Sequence, residues 1–114
     1  MSKQSEIVVT VDLDENNVPQ HIKWSSGADK QQGDCKTFFM SLWDEKEKNT
    51  MHLHLWTKQM LVDEMKQFIH QSLLGYADTV KRATGEENLS TMLSDFCHEF
   101  ALKAGILKNA EQPK

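Results

Sequence analysis

His52 and His54 stand two residues apart in a stretch of alternating polarity, which puts both imidazoles on one face of a strand. Such a pair could hold zinc if neutral rings converge within about 2.1 Å of one ion. A zinc site needs a third and usually a fourth ligand, and the sequence points to none. Cys97, His98 and Glu99 are consecutive in a helical segment, so their side chains diverge. Two polar residues on the wet side of a strand explain His52 and His54 equally well, and no metal or cofactor is expected. Asp63 and Glu64 could form an acid–base pair, but acidic residues in a first helical turn also complement the helix dipole, and that reading is preferred. Ser90, Ser94 and Cys97 have neither a nucleophile elbow nor a positioned base. The five glycines are scattered, so there is no phosphate-cradling loop. The chain reads as a non-enzyme.

The elements that would position these residues must come from 114 residues, enough for one modest core. Hydrophobic residues make up 39% and charged residues 26%, which suits a folded globule rather than a disordered chain. The net charge of −4, with no concentrated basic patch, argues against nucleic acid or anionic membrane as the main partner. The apolar run near the start is only Ile7-Val8-Val9, too short for a secretory signal, and nothing approaches a membrane span. Cys35 and Cys97 form no CxxC pair and read as two reduced thiols. A cytoplasmic location and no direct membrane insertion are expected.

Residues 6–13 alternate, with Ile7, Val9, Val11 and Leu13 on one face. Asp14 to Asn17 supply turn chemistry, and Val18 to Trp24 resume the alternation with Pro19 at a strand start or edge. Residues 25–34 read as a loop. Thr37 to Trp43 read as the third strand, with a short helical turn around residues 33–38 as the alternative; the conformation of residues 26–38 is left open. Thr50 to Trp56 form the fourth strand, and Thr57 is placed to cap the helix that follows. Apolar residues from Val62 to Ala83 and from Leu89 to Ala104 recur at three and four, defining two amphipathic helices. Thr84 and Glu87 have capping-box spacing, and Gly105 is a natural stop. The expected fold is α+β: a four-stranded antiparallel meander followed by two C-terminal helices packed on one face. Residues 1–5 are expected to form a flexible N-terminus, 6–107 a single domain and 108–114 a flexible tail.

The last two strands carry the most informative face. A connection over Asp44–Asn49 sets Ser41 opposite His52 and Phe39 opposite His54. Phe39, Ser41, Trp43, His52, His54 and Trp56 then share the face turned from the helices, where a meander is ordinarily polar. Exposed aromatic patches mark contact surfaces. The competing explanation is that the N-terminal segment, the loop over 25–36 or the C-terminal tail covers these rings. Leu74 lies off the apolar stripe of the first helix, beside Gly75, and is a smaller candidate of the same kind.

Asp12-Leu13-Asp14-Glu15-Asn16, Val18-Pro19 and Ile22-Lys23-Trp24-Ser25 form a distinctive series. It continues through Ser41-Leu42-Trp43-Asp44, Leu55-Trp56-Thr57-Lys58, Val62-Asp63-Glu64-Met65-Lys66, Ala77-Asp78-Thr79, Arg82-Ala83-Thr84 and Asp95-Phe96-Cys97. Together, from about Ser5 to Phe100, these strings resemble the GldC family of gliding-motility proteins. The sequence departs from that pattern at Leu61, where proline is expected in the first helical turn. The resemblance implies an accessory role in surface gliding rather than a motor or adhesin, and it carries no catalytic residues across. The combined expectation is a non-enzymatic protein that contacts a component of the gliding apparatus, or a second copy as a homodimer, through Phe39, Trp43, His52, His54 and Trp56, with Leu74 as a further candidate. The alternative is a small-molecule or metal-binding module using His52, His54 and the nearby tryptophans.

Overall fold

The computed structural model describes residues 3–28 and 30–107. Residues 1 and 2 of the expected flexible N-terminus and the whole expected tail, 108–114, lie outside them. The chain divides into two compact units between Leu61 and Val62.

The first unit contains β1 (Ile7–Leu13), β2 (Pro19–Ser26), β3 (Gln31–Cys35), β4 (Thr37–Asp44) and β5 (Asn49–Trp56). These five strands form two antiparallel sheets, β1-β2-β3 and β4-β5, which corrects the expected four-stranded meander. The added strand, β3, is the polar segment Gln-Gln-Gly-Asp-Cys. It has no apolar alternation of its own, and is a strand because β2 offers it a ladder from Ile22 to Ser26. Gly33 serves a steric purpose here, since a Cβ at that position would lie 3.0 Å from Trp24 Nε1 and 3.2 Å from its Cε2.

The β1–β2 turn is closed by Asp14, whose Oδ1 accepts the amides of Asn16 at 2.8 Å and Val18 at 2.9 Å. Asn17 sits at φ 64°, a left-handed backbone that asparagine tolerates. Pro19 opens β2, where its missing N–H costs least, and pairs with Leu13 after a register shift beyond Asp12. Register places Val9, Val11, Ile22, Trp24 and Cys35 on one face, with Ile22 fully buried. The opposite face is polar apart from Val8, and there His21 lies between two carboxylates: Nε2 is 3.0 Å from Asp34 Oδ1 and Nδ1 is 3.6 Å from Asp12 Oδ2.

The second unit is a helical hairpin of α1 (Val62–Thr84) and α2 (Glu87–Ala104). Asp63 and Glu64 in the first turn of α1, with Lys81 and Arg82 in its last, complement the helix dipole. The seam between the helices uses small residues: Ala77, Cys97 and Ala101 are buried, and Ser90 Oγ donates to the Ala77 carbonyl at 2.7 Å. His70 and Phe100 stack across the hairpin with ring centroids 6.2 Å apart.

Both expected N-caps are corrected. Thr57 lies five residues ahead of Val62, and its buried hydroxyl has no hydrogen-bond partner among the described residues. Thr84 belongs to the end of α1, where Oγ1 donates to the Val80 carbonyl at 2.6 Å and accepts the Glu86 amide at 3.0 Å. Glu86 is the residue at the α2 N-cap, with no side-chain cap bond. Gly105, at φ 79°, ends α2 as its freedom in the left-handed region permits.

Candidate functional site

Alternation in Thr37–Asp44 and Asn49–Trp56 gives two strands of equal length, and the turn between them is built locally. Asp44 Oδ2 accepts the Glu47 amide at 2.6 Å, its carbonyl accepts the Lys48 amide at 2.8 Å, and Lys48 adopts φ 57°. The resulting register pairs Trp43 with Thr50, Ser41 with His52, Phe39 with His54 and Thr37 with Trp56. Phe39, Ser41, Trp43, His52, His54 and Trp56 therefore share one face, as the spacing predicts.

Within that face the polar and aromatic groups are paired. Ser41 Oγ and His52 Nδ1 are 3.0 Å apart. The Phe39 and His54 rings stack at 3.9 Å with planes 16° apart, and His52 meets His54 edge-on at 5.5 Å. Trp43, 66% exposed, stands near the turn, and Trp56, 52% exposed, stands at the open end. With strands rising about 3.3 Å per residue, the two indoles bracket a stripe roughly 20 Å long. Leu74, the remaining candidate, lies on α1 in the second unit and is 43% exposed.

A two-stranded ribbon has little stability alone, and two contacts fasten the base of this one. The Thr57 amide donates to the Lys36 carbonyl at 2.8 Å. Lys58 Nζ reaches Asp14 Oδ2 at 2.6 Å, joining the exit of β5 to the β1–β2 turn. The Asp14 side chain is only 6% exposed. Its hydrogen bond from Lys58, then those from the Val18 and Asn16 amides, hold its pKa down at about 2.

Among the described residues no three or more His, Cys, Asp and Glu side chains gather where they could hold a metal. Burial raises the pKa of both thiols, Cys35 and Cys97. Sequence reasoning did not find the Asp14–Lys58 contact or the Asp12–His21–Asp34 cluster. Spacing gives no sign of the first, because its partners lie in two connections far apart along the chain; alternation could have placed Asp12 and His21 on one polar face, but not Asp34, which lay in the presumed loop.

A family described as gliding motility-associated protein GldC-like matches residues 19–106, which run from β2 through α2. The chain belongs to the GldC-like family. The matched span includes both strands of the aromatic ribbon and both helices, while β1 and its turn precede it. No curated protein and no solved structure matches the chain. No helix among the described residues is long and apolar enough to cross a membrane.

Proposed function

We propose that this GldC-like chain is a non-enzymatic, cytoplasmic accessory of the gliding apparatus, and that it works by binding another protein of that apparatus through the β4–β5 stripe. The observation that carries the reading is the pair of exposed indoles, Trp43 and Trp56, flanking side chains already tied to one another. Tryptophans of this kind supply large contact areas at interfaces. Membership of a gliding-motility family sets the biological context.

The test is capture of gliding-apparatus components from a gliding-cell lysate by the native protein and by a Trp43→Asp, Trp56→Asp variant of unchanged melting behaviour. Recovery of a motility protein by the native chain and its loss with the variant is expected; equal recovery by both rules the stripe out. A small-molecule or metal-binding module remains the second reading, resting on the two imidazoles that meet edge-on at 5.5 Å. Tight zinc binding that disappears in His52→Ala and His54→Ala variants would reverse the order of the two.

A further inference from the structure

The α1–α2 hairpin keeps small residues in its seam and presents large ones outward. Ala77, Cys97 and Ala101 are buried, whereas Met92 is 67% and Phe96 54% exposed. Toward the end of the hairpin where α1 begins and α2 finishes, Lys66, Phe96, Glu99, Phe100, Lys103 and Ala104 line a groove of about 510 Å³. Its floor is aromatic, since Phe96 and Phe100 pack with ring centroids 6.3 Å apart. Its rim carries both signs of charge, and Lys66, Glu99 and Lys103 form no ion pair with any described residue.

We infer that this groove is the seat of a second copy of the same chain, which closes two helical hairpins into a four-helix arrangement. The rim charge selects this occupant. In a two-fold contact whatever residue i meets in the other copy also meets residue i, so the patch must complement itself. Glu99 and Lys103 lie one helical turn apart on α2. An antiparallel pairing of α2 with its copy, centred midway between them, places each Glu99 opposite the other copy's Lys103. Lys66 adds a second cation at the same rim, Phe100 lies beside the two-fold, and Phe96 stands about one turn outside the Glu99–Lys103 pair. A uniformly charged rim would repel its own copy; this one carries both signs. The arrangement assigns self-association to the helices and leaves the Trp43–Trp56 stripe to a different partner, so it goes beyond the proposed function and fails independently of it.

Sedimentation equilibrium on the full chain tests the inference. The native protein is expected to dimerise, and added salt is expected to weaken the dimer. Glu99→Lys alone, and Lys66→Glu with Lys103→Glu, should each raise the dimer dissociation constant at least about 100-fold, because each faces like charges across the two-fold. Mixing the two variants should restore a heterodimer. All three positions are at the surface, and circular dichroism verifies folding; Phe96→Ser provides a second, uncharged disruption of the same groove. A native chain that stays monomeric at high micromolar concentration overturns the inference. So does a dimer that survives both charge variants, or one that Trp43→Asp with Trp56→Asp dissolves.

Discussion

Lys58 places its ammonium 2.6 Å from the Asp14 carboxylate and so ties the second residue beyond β5 to the turn between β1 and β2. The same carboxylate closes its own turn through the amides of Asn16 and Val18. One side chain thus serves two sheets, and its ionisation state governs both jobs.

Acid should therefore loosen the first unit. The folded pKa of Asp14, about 2, lies below its ordinary 3.8. A depressed carboxylate contributes stability that is complete above the ordinary value and is lost as pH falls toward the folded one. Thermal melts should show this contribution disappearing between about pH 4 and pH 2. Asp14→Asn should melt a few degrees lower at pH 7 and show a flatter acid limb, with Lys58→Met reproducing part of the effect.

Gly33 should resist enlargement. The nearest atoms to a Cβ there are Nε1, Cε2 and Cζ2 of Trp24, at 3.0–3.3 Å. Gly33→Val requires the indole to give by a few tenths of an ångström, an overpacking expected to cost about 1–3 kcal/mol. The urea midpoint should fall accordingly; an unchanged midpoint would show that Trp24 has room to yield.

In the helical unit the cross-hairpin bond from Ser90 Oγ to the Ala77 carbonyl is short, 2.7 Å, and partly buried. Ser90→Ala should cost about 0.5–1.5 kcal/mol. Hydrogen exchange at amides near Ala77 and Ser90 should quicken with it, while exchange in β1–β3 stays as in the native protein.

The indoles should behave differently from these structural residues. Trp43→Ala and Trp56→Ala remove largely exposed rings, so each should change folding stability by less than about 1 kcal/mol. Against a purified gliding partner, each should weaken binding by about 2 kcal/mol, roughly 30-fold in the dissociation constant. Titration calorimetry reads the loss of binding and a urea melt the change in stability.

The aromatic ribbon was legible in the sequence because both of its strands alternate and the Asp44–Asn49 turn fixes their pairing. The third strand was not, because Gln31–Cys35 holds no apolar pattern and owes its conformation to β2. Thr57 and Thr84 fit capping rules by spacing alone. In the folded chain one is buried ahead of its helix and the other bonds within the turn it ends. Of the candidate surface, register placed Phe39, Trp43, His52, His54 and Trp56 together; Leu74, on a helix, lay beyond what strand alternation can relate. The Asp14–Lys58 contact was hidden by distance along the chain, since long-range ion pairs leave no periodic trace.

A single residue, Lys36, separates β3 from β4, and its carbonyl holds the Thr57 amide just past the end of β5. Both legs of the ribbon are thus moored to the three-stranded sheet, one by the chain itself and one by that bond together with Lys58 and Asp14. A ribbon held at both legs is preordered, so a molecule binding it would lose less entropy than one that must first still a swinging arm. If the ribbon is the contact surface proposed above, cutting the mooring should weaken binding there.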